Sequence, residues 1–183
     1  AKTIDKVRPG GVIAFITSKG TLDKANPSVR RYMAQRTQLL GAIRLPNNAF
    51  KNAGTSVTSD IIFLKKRDMY IDTDEDWIHL GTDENGIEMN SYFVNNPHMV
   101  LGKMEMVSGP HGMESACVPE SGTSLADRLR QAVQMIRGEI SIDDTEISDE
   151  ELEDESIPAE AGIKNFSYCS LNGKIYYREN SIM

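Results

Sequence analysis

The stretch RLPNNAFKNAGTSVTSDIIFLKK, residues 44–66, contains the end of one predicted strand, a polar loop and a complete second strand. The proline near its start ends the first strand, because proline has no N–H to donate to a neighbouring strand. The apolar group IIFL near its end is typical of a strand inside a sheet. The loop between them consists mainly of Asn, Lys, Gly, Thr and Ser, yet it contains one large aromatic residue, Phe50.

Another strand and a helix precede this stretch. GGVIAFITS, residues 10–18, is almost continuously apolar, which predicts a strand buried on both faces, as in a parallel sheet. Asn26-Pro27 predicts a helix start, with Asn as N-cap and Pro as the first helical residue. That helix is expected over residues 27–39, and LGAIRL, residues 40–45, is the next strand. The order strand, helix, strand, loop, strand predicts an α/β fold.

The sequence becomes more polar after residue 67 and predicts an α+β region over residues 68–138. It shows a weak strand signal at residues 77–80, a short helix at 90–95 stopped by Pro97, and a hairpin turn at 109–112. TSLADRLRQAVQMIRGEI, residues 123–140, predicts an amphipathic helix capped by Thr123 or Ser124, with an apolar face made of Leu125, Leu129, Val133 and Ile136.

The end of the chain divides into an acidic segment and an aromatic one. Residues 139–160 contain 11 acidic residues and no Lys or Arg, which predicts a disordered linker over residues 139–163. Residues 164–183 contain Asn172-Gly173 between two aromatic-rich runs, which predicts a β-hairpin with a type I′ turn.

The net charge of −7 hides a basic segment at the start of the chain. Residues 1–67 contain 13 Lys or Arg and only three Asp or Glu. A basic segment of this kind suits a polyanionic partner such as nucleic acid. The alternative is a solvated surface that is rich in Arg, and Arg30-Arg31 in particular is expected to face solvent.

Several classes of function lack support. The chain contains no apolar run long enough for a membrane span and no secretory signal pattern, so a cytoplasmic location is expected. Cys117 and Cys169 lie far apart and have no CxxC neighbour, and the three histidines are scattered, so no metal site is predicted.

The ordered set of motifs in residues 10–66 resembles the C-terminal half of N6-adenine DNA methyltransferases, of the kind found in the M subunits of type I restriction–modification systems. The motifs are Pro9-Gly10-Gly11, the apolar strand, the helix with its Arg pair, Arg44-Leu45-Pro46, the Phe50 loop with Gly54-Thr55, and the last apolar strand. The longer sequence around these motifs is most similar to methylase regions of very large mobile-element proteins that join a methylase to a helicase.

The resemblance implies a seven-stranded Rossmann-like sheet whose last strand runs antiparallel. The three strands here would be strands five to seven, a partial methyltransferase sheet, with residues 1–67 as the C-terminal half of the catalytic core and 68–138 as an accessory region. Phe50 would then stack on an adenine extruded from DNA, because a planar side chain replaces the lost stacking partners. The alternative is that Phe50 anchors its loop on the sheet.

Three lysines are candidate DNA contacts. Lys19 and Lys24 follow the first strand, at the carboxyl edge where α/β sheets place ligands. Lys51 follows Phe50 directly. Solvated surface lysines are an equally good interpretation of Lys19 and Lys24.

Two elements that the resemblance requires are missing from the sequence. One is a Gly-rich turn for S-adenosylmethionine, and the other is the catalytic Asn/Asp-Pro-Pro-aromatic motif. Asn95-Asn96-Pro97-His98 resembles the second, but it follows the seventh-strand position and lacks the second proline and the aromatic residue. We therefore expect neither catalytic nor cofactor-binding residues here, and we expect the chain to be a fragment that is inactive alone.

The expected partners are DNA, an upstream methyltransferase half and a helicase domain in the same polypeptide. An exposed sheet edge where the fourth strand would pair could also support a dimer. The rival hypothesis is a non-catalytic module that retains the fold and binds DNA or a helicase.

Overall fold

The computed structural model describes residues 2–109, 112–138, 157–159, 161–180 and 182. The chain forms two compact units, Ala1–Ser141 and Ile142–Met183. No helix in the described ranges is long and apolar enough to cross a membrane.

A three-stranded sheet forms the centre of the first unit. Its strands are β1 (Val12–Ser18), β2 (Thr37–Leu45) and β3 (Ser59–Lys66). β3 lies between the other two and pairs antiparallel with both, so β1 and β2 run in the same direction. The prediction of a mixed helix and strand fold is confirmed, and each described sheet is small and has antiparallel pairing.

The sheet buries one face more completely than the other. Ile62 and Leu64 of β3 are 0% exposed, whereas Ile61 and Phe63, which alternate with them, are half-buried. β1 departs from the sequence prediction, because its burial alternates and Ile16 is 62% exposed. β1 lies at one edge of the described sheet, and its alternating burial means that one face of the strand is covered while the face that carries Ile16 is open. The predicted dimer through this edge stays a prediction.

The first half contains three short helices, one before β1 and two between β1 and β2. They are α1 (Lys2–Lys6), α2 (Gly20–Asp23) and α3 (Ser28–Ala34). The helix predicted over residues 27–39 is shorter than expected. Pro27 stands at the N-cap position, and the Asn26 side chain accepts a hydrogen bond from the Ser28 N–H. Residues 37–39 belong to β2 instead, because their pairing with β3 overrides the helical spacing of the apolar residues.

The region after residue 67 is a set of short elements. The turn of 3-10 helix Asp76–Ile78 precedes the hairpin of β4 (Leu80–Thr82) and β5 (Glu88–Asn90). The predicted short helix is confirmed as α4 (Ser91–Asn95), and it ends before the 3-10 turn Pro97–Met99. The predicted hairpin is confirmed as β6 (Lys103–Gly109) paired with β7 (Gly112–Val118), although residues 110 and 111 of its turn lie outside the described residues.

Asn90 connects this region to the first half of the chain. Its side chain is 0% exposed, and its Nδ2 donates to the carbonyls of Leu22 and Trp77 at 3.0 and 2.8 Å. Its Oδ1 also accepts from the Tyr92 N–H and so caps α4. Residues 1–67 and 68–138 therefore share one compact unit, and the predicted division of roles between them stays a prediction.

The amphipathic helix is confirmed as α5 (Leu125–Met135), and Ser124 caps it by accepting from the Asp127 N–H. Its buried face differs in one position from the prediction, because Val133 is 46% exposed and Ala132 is buried. Ile136, which follows α5, lies close to β2 at Gly41. A Cβ there would meet Ile136 Cδ1 at 2.4 Å and Tyr92 Oη at 3.1 Å, so a larger residue would require the Ile136 side chain to move.

The second unit contains the predicted terminal hairpin, formed by β8 (Tyr168–Leu171) and β9 (Lys174–Tyr177). Asn172 and Gly173 both have positive φ, as a type I′ turn requires. The acidic linker predicted over residues 139–163 lies mostly outside the described residues.

Replacing Ile62 by Ala should lower the free energy of unfolding by about 2–5 kcal/mol, because it leaves a cavity at the centre of the sheet. Ile16→Ala removes the same atoms from an exposed position in β1 and should cost less than about 1 kcal/mol. Urea denaturation of both variants measures the difference. Equal losses would contradict the assignment of the two faces.

Candidate functional site

A row of polar residues crosses the sheet at the carboxyl ends of β1 and β2. Thr17, Asp60 and Arg44 are register partners in β1, β3 and β2. Arg44 Nε donates to Asp60 Oδ1 at 2.8 Å and Nη2 donates to Asp60 Oδ2 at 2.9 Å. The same Nη2 donates to Asp23 Oδ1 at 2.8 Å. Both side chains of the Arg44–Asp60 pair are 0% exposed, so this network belongs to the core.

The surroundings of Arg44 fix its charge. Burial lowers its pKa, but the charges and hydrogen bonds of Asp60 and Asp23 outweigh burial and raise the pKa above its ordinary value. Burial raises the pKa of Asp60, and the Arg44 guanidinium opposes that shift. The two-bond geometry favours the ionised carboxylate, because both of its oxygens accept from the guanidinium.

Arg44 is therefore a structural residue, and the sequence analysis did not identify its role. Its Cζ lies 4.2 Å from the centre of the Phe93 ring, which joins the network to α4. Within the described residues Arg44 Nη1 and Asp23 Oδ2 have no hydrogen-bond partner. A charged residue inside the apolar group GAIRL, and an Asp directly before IIFL, were the available signals for a buried ion pair.

Arg30 was also predicted incorrectly. It was expected to face solvent, but it is 1% exposed. Its guanidinium donates to the carbonyls of Ile78 and Lys24, both at 2.6 Å. Its neighbour Arg31 does lie at the surface, where it pairs with Asp74.

The Phe50 loop runs between β2 and β3, and a 3-10 turn (Lys51–Ala53) follows the aromatic residue. Gly54 ends this turn with φ of 77°, a left-handed conformation that glycine adopts without strain. Phe50 is half-buried and packs against the hydrophobic core, and Lys51 beside it is exposed. The ring thus has both an anchored and an accessible part.

A polar cleft of about 260 Å³ lies between this loop and the β6–β7 hairpin. Of the three candidate lysines only Lys19 lines it. Lys19 is half-buried, and its Nζ donates to Ser115 Oγ at 2.9 Å. Lys24 is exposed at the end of α2 and does not line the cleft, and neither do Phe50 and Lys51. The remaining lining residues are Asn47, Ser56, Val57, Thr58, Val107, Ser108, Gly109, Glu114, Ser115 and Ala116.

The chemistry of this cleft suits a polar or anionic group. It offers one ammonium, several hydroxyl groups and one amide, against a single carboxylate from Glu114. A different cavity of about 320 Å³ lies beside α4 and is rimmed by Asp83, Glu84 and Glu120. Its acidic rim makes it a poor site for a polyanion.

The glycine turn before β1 is held against β3 and against the residues that precede it. Its Gly10 N–H donates to the Lys66 carbonyl and the Gly11 carbonyl accepts from the Lys66 N–H, which fixes the turn against β3. A side chain at Gly11 would meet Val7 Cγ1 at 2.6 Å, so the space is filled by the protein itself. No group of His, Cys, Asp or Glu in the described part of the chain could hold a metal ion.

Comparison with known protein families gives the class of this protein. Residues 1–92 match the N-6 DNA Methylase family, which covers just over half of the chain. The chain belongs to the N-6 DNA methylase family. The resemblance inferred from residues 10–66 is confirmed.

One known protein is similar to part of this chain. The chain is 30% identical over 66 residues to Defense against restriction protein B of Escherichia phage P1. That match covers 36% of this chain and spans only 3% of the relative, which is therefore a very large protein. No solved structure matches the chain.

Replacing Arg44 by Met should lower the free energy of unfolding by about 3–5 kcal/mol at pH 7, because it leaves two buried carboxylates without a cation. The loss should shrink as the pH falls toward 4, because burial raises the pKa of Asp60 and the folded variant then takes up a proton. Urea denaturation at several pH values measures this.

Arg31→Met is the matched control for this prediction. It removes an exposed ion pair with Asp74 and should cost less than about 1 kcal/mol at every pH. A loss for Arg44→Met no larger than for Arg31→Met would contradict the structural role of Arg44.

Proposed function

We propose that this chain is part of an S-adenosylmethionine-dependent DNA methyltransferase that methylates adenine at N6. It supplies the target-base side of the active site, and Phe50 stacks on the extruded adenine. The observation that carries the proposal is a half-buried aromatic residue in a loop at the carboxyl ends of two strands with the same direction, in a chain of the N-6 DNA methylase family.

The strand arrangement supports a partial methyltransferase sheet. β1 and β2 run in the same direction and β3 runs against both. That pattern is expected if the three strands are strands five to seven of a Rossmann-like sheet with an antiparallel last strand. The Phe50 loop then joins the sixth strand to the seventh, with residues 1–67 in the catalytic core and 68–138 as the accessory region.

The environment of Phe50 supports base stacking. An extruded base loses its neighbours in the duplex, and stacking on an aromatic side chain contributes roughly 1–3 kcal/mol. A ring that is anchored on one side and accessible on another meets this need at little entropic cost, because it is already ordered before DNA binds. Core packing also fits the alternative of a loop anchor, so the two interpretations need a binding measurement.

The lysines near the loop supply charge for the DNA backbone. Lys51 is exposed beside Phe50, and Lys19 reaches into the polar cleft. Lys24 is exposed on the same connection after β1. We assign phosphate contacts to these three residues. DNA as substrate fits the predicted cytoplasmic location.

The methyl donor and the catalytic motif are assigned to an upstream methyltransferase half. When bound, S-adenosylmethionine supplies the methyl group, but the glycine turn of this chain does not fit it. A helicase domain in the same polypeptide is a further proposed partner. The missing cofactor cradle also favours a second candidate, a non-catalytic module that binds DNA or a helicase.

Phe50→Ala should weaken the binding of a single-stranded oligonucleotide that contains 2-aminopurine by roughly 1–3 kcal/mol, because the base loses its stacking partner. Phe50→Tyr keeps the ring and should bind like the natural chain. Fluorescence titration measures the affinity and also reports stacking as quenching of 2-aminopurine.

The matched control is Phe166→Ala, which removes an exposed ring from the second unit and should leave the affinity unchanged. Equal affinities of the Phe50→Ala and natural chains would contradict the stacking proposal and favour the alternative, in which Phe50 only anchors its loop on the sheet.

Calorimetric titration of S-adenosylmethionine into the purified chain should show no binding, and the chain alone should transfer no methyl group to DNA. The reason is that the glycine turn is packed against Val7, which follows α1, and against β3. S-adenosylhomocysteine serves as a second probe of the same cradle. Micromolar binding of either compound would mean that this chain contains a cofactor site, and the assignment to an upstream half would be wrong.

A further inference from the structure

One residue of β7 holds both ends of the Phe50 loop. The carbonyl of Cys117 accepts from the Asn47 N–H at 2.7 Å, and the Cys117 N–H donates to Thr58 Oγ1 at 2.9 Å. Asn47 follows the end of β2 and Thr58 precedes β3. The two hydrogen bonds therefore close the neck of the loop on a strand of the accessory region.

The end of β1 joins the same point. The Lys19 N–H donates to the Thr58 carbonyl at 3.0 Å, and Lys19 Nζ donates to Ser115 Oγ, two residues before Cys117. Thr58 is therefore bonded through its side chain to β7 and through its main chain to the segment after β1. These contacts form a clamp made of Lys19, Asn47, Thr58, Ser115 and Cys117.

The hairpin is itself fixed to the sheet, so the clamp is anchored. The Leu101 N–H donates to the Arg44 carbonyl at 2.8 Å, which attaches the segment before β6 to β2. At the base of the hairpin Gly102 lies so close to β7 that a side chain would meet the Val118 carbonyl oxygen at 2.3 Å. A hairpin held in this way cannot move away from the loop without breaking contacts in the core.

The hydrogen bond between Cys117 and Thr58 is buried, whereas Lys19, Asn47 and Ser115 are half-buried and line the polar cleft. Cys117 is 0% exposed and Thr58 is 3% exposed. Burial raises the pKa of the Cys117 thiol to about 12, so the group is neutral at physiological pH. A hydrogen bond in such a place resists opening, because the freed N–H would find no water to replace its partner.

We propose that β7 is the positioning element of the Phe50 loop, with Thr58 as the positioning residue. The accessory region thus takes part in target-base binding without touching the base. This inference rests on the proposed function for its role in DNA binding, but the clamp itself can be tested without DNA.

The physical reason is the geometry of stacking. The loop between Asn47 and Thr58 carries the ring at Phe50, closer to its first end, so the direction of the ring depends on where the two ends are held. A loop fixed at its neck loses its conformational freedom during folding, so less of the binding energy is spent on ordering it.

The first experiment measures hydrogen exchange of the loop amides in residues 48–57. Thr58→Val keeps the shape of the side chain but leaves the Cys117 N–H without its acceptor, and loop exchange should become about tenfold faster. Thr58→Ser keeps the hydroxyl group and should restore slow exchange. The amides of residues 61–64 in β3 are the internal control and should exchange as in the natural chain. Unchanged loop exchange in Thr58→Val overturns the clamp.

Ser115→Ala is a second variant that tests the clamp. It breaks only the contact of Lys19 with β7 at a half-buried position, so the protein is expected to fold. Loop exchange should rise about two- to fivefold. If Thr58→Val fails to fold, unchanged exchange in Ser115→Ala overturns the proposal.

The second experiment uses the oligonucleotide that contains 2-aminopurine. Thr58→Val should weaken its binding about three- to tenfold in the natural chain but not in a Phe50→Ala chain, because the effect acts through the ring. A loosened loop with unchanged affinity overturns the positioning role. If Phe50→Ala alone has no effect, the proposed function fails, and the exchange result still decides whether the clamp exists.

Discussion

The buried guanidinium of Arg44 is the constraint on which the rest of the first unit depends. It binds Asp60 from β3 and Asp23 from the end of α2, and its flat face lies over Phe93 of α4. Its main-chain carbonyl binds Leu101 as well. One residue therefore joins the central sheet, the connection after β1 and the accessory region. Because a buried charge cannot be left unpaired, these elements must keep their relative positions.

Much of the fold could be predicted from local signals. The bounds of β3 and the cap of α5 follow from patterns that involve neighbours in sequence, namely an apolar group and a serine before an amphipathic run. The Asn172-Gly173 turn has the same local origin. The order of motifs around Phe50 also predicted the family, which the match over residues 1–92 confirms.

The errors concern tertiary packing, which the local sequence pattern does not contain. Residues 37–39 have helical spacing, but β3 takes them into the sheet. Arg30 looked solvent-facing because the carbonyls of Ile78 and Lys24 that accept its bonds cannot be located from helical periodicity. The apolar run of β1 suggested burial on both faces, yet only one face of this strand is covered and Ile16 on the other face is exposed. The cleft could not be predicted from the sequence either, since its two walls are about 50 residues apart in the chain.

The hydrogen bonds at Cys117 use only its main chain. The side chain at this position is constrained by size and burial, but not by chemistry. An Ala or Ser could present the same N–H and carbonyl to the loop. The accessory region is thus free to change much of its sequence while the loop keeps its place, provided that the strand keeps its path. Divergence in residues 112–118 other than Ser115 would then carry little information about the target base, whereas the residue at position 58 would.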